Sequence, residues 1–353
     1  IVQALVSLAI VVGIFVGIMP QIADYGEVGE TIKAMTLLEV TTLILVGLWN
    51  LVTYWFVLTA ALPGLRLREA AVVNQASTAV SNTLPAGGAL GVGVTVSTLT
   101  SWGFTIPSIG RSTVVTGIWN NFVKLGMPVV ALVLLALEGG VTPPRLISAA
   151  IGVGALVGAV VVFAMLLKSD RLARAVGRRM GGLLNRMLRL VRRKPVSGIE
   201  DSVSNFRTDT IELLATRWIR LTLSTLVSHV SLYLVLLIAL RHVGVAQGDL
   251  TWITVFAAFA FIRLISALPL TPGGVGVVEV GYALVLTIGL GDLLSAQVVA
   301  AILLFRAITY LLPIPLGLIA YMVWRGNQSW RLSVAERAMR AGASAEVSDP
   351  GAG

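Results

Sequence analysis

The chain has 353 residues, 56% of them apolar and 12% charged, with a formal net charge of +9 and no cysteine. A soluble domain of this length could not hide that much apolar surface, so the composition points to an all-α polytopic membrane protein. The absence of cysteine excludes disulfides, thiolate metal sites and a cysteine nucleophile, and His229 and His242 stand too far apart for a metal motif, so neither metal nor cofactor is expected.

In chain order, the apolar segment 4–20 has no basic n-region and no small-residue cleavage site before Gln21, and reads as a retained helix. A chain that opens on Ile1 is expected to continue upstream. The linker 21–32 carries Asp24, Glu27 and Glu30, which suits the outer side, and a helix over 38–62 is closed on the inside by Arg66 and Arg68. Between Arg68 and Arg111 the chain has to leave the cytoplasmic side and return to it. Its middle, Asn82-Thr83-Leu84-Pro85-Ala86-Gly87-Gly88, is a breaker cluster. That spacing predicts a re-entrant hairpin turning at Pro85, Gly87 and Gly88. Helices follow over 113–137 and 146–167.

Much of the basic charge then falls between Lys168 and Lys194, which places the loop 168–216 in the cytoplasm by the positive-inside rule. Leu172, Val176, Leu183, Met187 and Val191 are spaced for one face of an interfacial helix, here a topology determinant that could also meet anionic lipid. Charge concentrated in one such loop speaks against nucleic acid as a partner.

The second half predicts a helix over 217–241 and an outer loop with His242 and Asp249. The stretch 252–290 is broken at Pro272-Gly273-Gly274, with Gly276 close behind, and reads as a second re-entrant hairpin. A last long helix over 293–324 ends at Arg325. Residues 326–353, with Arg331, Arg337 and Arg340, are expected to form a disordered cytoplasmic tail.

Gly87-Gly88 and Gly273-Gly274 recur in register with Val114, Asn121 and Pro128 against Val299, Arg306 and Pro313. Residues 1–137 and 138–325 thus read as two membrane repeats, each of three transmembrane helices plus one re-entrant hairpin. An odd number of crossings inverts the second copy, and paired interrupted segments are the usual pointer to a transporter site.

At about 1.5 Å of rise per residue, Arg263, Arg306 and Lys124 each lie about 16–18 Å inside a segment, near the midplane of a core about 30 Å thick. Ionisable groups at that depth are costly and read as functional. Asn120 shares a face with Lys124, and Tyr310 with Arg306. Half-helices beginning after Gly88 and Gly274 would aim backbone N–H groups at the same depth. One buried anion, Glu279, faces these groups, either as a structural partner of Arg263 or Arg306 or as a proton carrier. The candidate substrate-binding set is therefore Arg263, Arg306, Lys124, Glu279, Asn120 and Tyr310. Asn121 reads as interhelical hydrogen-bonding glue, and His229 and Glu39 as structural polar groups.

The run Pro272-Gly273-Gly274-Val275-Gly276-Val277-Val278-Glu279, followed by Arg306, Tyr310, Pro313 and Gly317, resembles the transmembrane domain of the lysylphosphatidylglycerol synthase/flippase family. The likeness is most specific in the second half and spans about residues 1–325 more loosely. It implies a prokaryotic plasma-membrane protein with a flippase-like domain. It does not carry the synthase activity over, because family members place an aminoacyl-transferase domain after the membrane part and a short tail follows Arg325 here. The first half keeps Asn82 and Pro85 but has Gly87-Gly88 and later Asn120-Asn121 and Lys124, where members often carry a Pro-x-Arg-x-Gly stretch and a Glu-Arg…Asp cluster. An acidic partner is lost and a base gained, which implies a more anionic substrate than an aminoacylated lipid.

The expected function is movement of an anionic phospholipid or lipid-linked headgroup between leaflets, without catalysis. The partners are that lipid and the bilayer, and a homo-oligomer stays open. The alternatives are a proton-coupled transporter of a soluble anion, a membrane-embedded enzyme acting on a lipid-linked phosphate, and a non-catalytic subunit of an envelope-lipid enzyme.

Overall fold

A computed structural model describes residue 21 and residues 24–84, 87–139, 143–190, 198–266, 271 and 274–339. The helix expected over 4–20, the turn residues Pro85, Pro272 and Gly273, and the tail from 340 onward lie outside the described residues. Among those described, the regular structure is helical. Five helices are long and apolar enough to cross a membrane: Leu37–Ala61, Ile106–Gly139, Ala150–Lys168, Asp201–His242 and Asp292–Gly326. They match the five expected crossings outside the masked N-terminus, and the chain is a multi-pass membrane protein.

A short helix, α1 (Tyr25–Lys33), is capped by Asp24 and leads to α2 (Leu37–Ala61). Thr36 and Glu39 form a reciprocal capping box at the start of α2, with Glu39 Oε2 accepting the Thr36 N–H at 2.8 Å. That pairing accounts for Glu39 as a structural group.

Two helical hairpins separate the long helices. The first joins α3 (Leu67–Thr83) to α4 (Gly87–Ser101), and the second joins α9 (Trp252–Ile265) to α10 (Val277–Leu286). At about 1.5 Å per residue their arms are about 15–25 Å long, shorter than a core of about 30 Å. In the first hairpin a side chain at Gly87 would collide with the Ser81 carbonyl, and one at Gly91 with the Ser81 side chain. Glycine is required there because two helix backbones touch.

Between the hairpins run α5 (Ile106–Gly139), α6 (Pro143–Lys168), α7 (Asp170–Leu190) and α8 (Ile199–His242). Here the structure corrects the expected loop over 168–216: among the described residues it is helical over Asp170–Leu190 and again from Ile199 onward. Residues 199–242 contain no glycine or proline, so nothing interrupts one 44-residue helix whose first part was expected to be loop. Helix α7 packs back on the start of α8 along Ala173, Gly177 and Gly181, while Leu172 and Leu183 of the expected interfacial face are exposed. The Ser204 hydroxyl donates to Asp170 at 2.6 Å, and together with Arg174 it holds that carboxyl below the usual carboxylate range.

The main apolar core gathers α8, α9, α10 and α11 (Asp292–Arg306), with Leu236, Phe259, Tyr282 and Ile302 fully buried. The last membrane segment is the long helical span expected over 293–324, made of α11, a π turn over Ala307–Leu311, and α12 (Pro313–Gly326). A Cβ on Gly317 would clash with Ala79 and with the Gln75 carbonyl, which shows how tightly α12 lies on α3.

The expected disordered tail also needs correction. Residues 327–339 fold back under the first hairpin, where Trp330 meets Trp102 edge to face at 5.5 Å. Arg337, 3% exposed, donates to both Glu69 oxygens, to the Trp102 carbonyl at 2.9 Å and to the Gly64 carbonyl at 3.1 Å. Its guanidinium also lies 4.4 Å over the Phe104 ring. Removing one partner leaves an uncompensated buried charge, so Arg337→Ala is expected to cost about 3–5 kcal/mol. Thermal unfolding in detergent should show this, and Glu69→Met combined with Arg337→Met should recover most of the loss. Unchanged stability in Arg337→Ala would mean the tail is only loosely held.

Candidate functional site

The site begins with a proline. Pro313 has no N–H to continue the α-helical ladder, and the chain before it widens into the π turn, in which the Leu312 N–H donates to the Ala307 carbonyl at 2.8 Å. Such turns are frequent at functional positions. Arg306 enters this turn and Tyr310 lies within it, with the guanidinium 4.6 Å above the phenol ring. Arg306 Nε donates to Glu279 Oε1 at 2.6 Å, and the two side chains are only 14% and 4% exposed.

Glu279 is the third residue of α10, and its other oxygen accepts the Gly276 N–H at 2.7 Å. Gly276 has φ 83° and Gly274 φ 70°, left-handed values that explain glycine at both turn positions. Of the two partners open to Glu279 in the sequence, the structure selects Arg306. It also corrects one expectation, because the Gly276 amide, at the N-terminus meant to meet a ligand, is taken by Glu279 itself.

On the other side, the Tyr310 hydroxyl donates to the Asn82 carbonyl at 2.6 Å, and Asn82 Nδ2 donates to the Tyr310 carbonyl at 3.0 Å. A polar chain thus runs from the tip of the first hairpin through Tyr310 and Arg306 to Glu279 at the turn of the second.

Next to this chain lies a cavity of about 540 Å³ whose wall includes Lys124, Arg263, Arg306 and Asn120. Helices α2, α3, α5, α8, α9, α10 and α11 all contribute to it, so both halves of the chain meet there. Glu279 and Tyr310 do not line it; they hold Arg306 from behind. Among the described residues, neither the Lys124 ammonium nor the Arg263 guanidinium has a hydrogen-bond or ion-pair partner, and Arg263 Nε is buried and unbonded. Asn120 Nδ2 donates to the Thr116 carbonyl at 2.8 Å within its own helix, and Asn121 is exposed. Gly88 has open space around it and makes no close packing.

Sequence reasoning passed over part of this wall. Asn74, Ser77 and Thr78 line the cavity from α3, and Asn50 and Tyr54 line it from α2. The polar residues of α3 recur at three- and four-residue spacing, a one-sided pattern readable in the sequence. His229 and Tyr282 also belong to the wall, and a lone polar residue on an apolar helix carries no such signal.

A family described as "Lysylphosphatidylglycerol synthase TM region" matches residues 4–317. The chain belongs to this family. The matched stretch contains every cavity residue named above, as well as Glu279 and Tyr310. A search of curated proteins gave no match. Membership ties this lysylphosphatidylglycerol synthase TM region to membrane lipid, and the charged side chains on the wall that lack a partner among the described residues, Lys124 and Arg263, are both cationic.

The polar chain predicts graded losses of stability. Tyr310→Phe keeps the ring under Arg306 and removes one hydrogen bond, so it should cost about 1 kcal/mol. Glu279→Gln leaves Arg306 buried without its anion and should cost about 3–5 kcal/mol. In a double-mutant cycle followed by unfolding in detergent, the two changes should couple by about 0.5 kcal/mol or more. Strict additivity would mean that the two ends act independently.

Proposed function

We propose that the chain moves an anionic phospholipid or lipid-linked headgroup between leaflets, with phosphate held between Arg263 and Lys124. The observation that carries this reading is the pair of cations on the cavity wall without an anionic partner among the described residues. Arg306 adds positive field but is largely offset by Glu279 at 2.6 Å. A guanidinium offers a planar fork to phosphate and an ammonium a point charge, so Arg263 would set geometry and Lys124 affinity.

The architecture behind this reading is an inverted repeat. The first hairpin followed by α5, with Pro128 inside it, corresponds to the second hairpin followed by α11 and α12, with Pro313 at the junction. In this scheme the hairpins are re-entrant, since their arms are shorter than a bilayer core, and the cavity lies at the interface between repeats, where transporter sites lie. The loop 168–216 and the C-terminus are cytoplasmic, residues 21–32 and 242–250 outside, and the membrane is the prokaryotic plasma membrane. The reading is of a transporter and not an enzyme. A proton-coupled carrier working through Glu279 is disfavoured, because that carboxylate is held by both Arg306 and Gly276.

In reconstituted vesicles, Arg263→Ala is expected to abolish movement of anionic lipid while the protein stays folded, since this guanidinium has no described partner to lose. Lys124→Ala should slow movement less. Normal rates in both variants would overturn the phosphate site. Single cysteines placed in this cysteine-free chain at 170–190 should react with an impermeant reagent from the cytoplasmic side alone. Labelling from outside would invert the scheme.

A further inference from the structure

His229 is the buried titratable group that this reading leaves unused. It stands on α8, 4% exposed, and lines the same cavity as Lys124 and Arg263. Its Nδ1 lies 3.0 Å from the Thr225 carbonyl. A carbonyl only accepts, so Nδ1 carries the hydrogen and the neutral ring is left with Nε2 as an acceptor. Nε2 is buried and has no hydrogen-bond partner among the described residues. The hydroxyl of Tyr282, a fully buried residue on the same wall, is likewise unpartnered. Orphaned buried polar atoms are rare and call for a missing partner.

An acceptor beside an anion site asks for a ligand that brings both a negative charge and a hydrogen-bond donor. The donor could be an O–H or an ammonium N–H. Lys124 and Arg263 decide between them: in a chamber of low dielectric a third cation is repelled, whereas a neutral hydroxyl is not. Resting on the anion site proposed above, we infer that the cavity selects a phosphodiester headgroup bearing a hydroxyl, such as glycerol or a sugar. Its phosphate meets Arg263 and Lys124, and its O–H is donated to His229 Nε2. Headgroups that are zwitterionic, or anionic without a hydroxyl, bind more weakly.

The test is a titration of the full chain in detergent, followed by native mass spectrometry, with three lipids of identical acyl chains. Phosphatidylglycerol carries the hydroxyls, phosphatidylmethanol has the same charge without them, and phosphatidylethanolamine replaces them with an ammonium. The wild type is expected to bind phosphatidylglycerol about tenfold more tightly than phosphatidylmethanol, the size of one good hydrogen bond, and phosphatidylethanolamine least. His229→Leu should bring phosphatidylglycerol down to the phosphatidylmethanol level and leave the latter unchanged. His229→Gln, which keeps an acceptor, should restore part of the preference. Equal binding of the two anionic lipids by the wild type, or a full preference surviving in His229→Leu, overturns the inference. Arg263→Ala separates it from the reading beneath it. Loss of both anionic lipids in that variant supports the anion site by itself, and unchanged binding of phosphatidylmethanol overturns the site and the inference together.

Discussion

The ion pair between Arg306 and Glu279 is the constraint around which the membrane domain is arranged. Two charges almost out of water stabilise little by themselves, because desolvation offsets most of their attraction. Their effect is geometric. Glu279 can reach Arg306 only if the second hairpin turns through the left-handed glycines Gly274 and Gly276, and Arg306 can lie over Tyr310 only if the π turn before Pro313 is in place. Through the reciprocal bonds of Tyr310 with Asn82, the same pair reaches the first hairpin. Four side chains therefore fix two hairpins and the last membrane segment in one mutual arrangement.

That arrangement also sets the charge of the cavity. With Arg306 answered by Glu279, the field inside comes mainly from Lys124 and Arg263, which are contributed by opposite halves of the chain. Of the lining cations without an ion-pair partner among the described residues, each half supplies one. The hydroxyl- and amide-bearing residues Asn74, Ser77 and Thr78 of α3 add uncharged hydrogen-bonding groups to the same lining.

The membrane class, the long helices and the two breaker clusters were legible because hydropathy and glycine–proline punctuation act locally. Spacing along each helix was legible too: Arg263, Arg306, Lys124 and Asn120 read as one group, and they line one cavity. Which cation Glu279 would choose was not, since that depends on how α10 and α11 face each other. The region 168–216 was misjudged for a different reason. Its density of charge concealed a breaker-free helix continuous with the next crossing. The buried Arg337 looked like one more basic residue of a tail, because its partner Glu69 lies far away in sequence. His229 showed no pattern at all; its interest lies in an unmet acceptor, visible only in three dimensions.

Helix α8 has a mechanical consequence. Its 44 residues make a rod of about 66 Å at about 1.5 Å per residue, roughly twice the thickness of a bilayer core. With no glycine or proline to act as a hinge, a tilt of the half that carries His229 has to be matched by the half that carries α7. Arg217 and Asp209, which touch α2 and α5 part-way along the rod, would serve as its fulcrum. Any rocking of the cavity wall would then be read out, magnified, as a sweep of the arginine-rich helix pair beyond the apolar core.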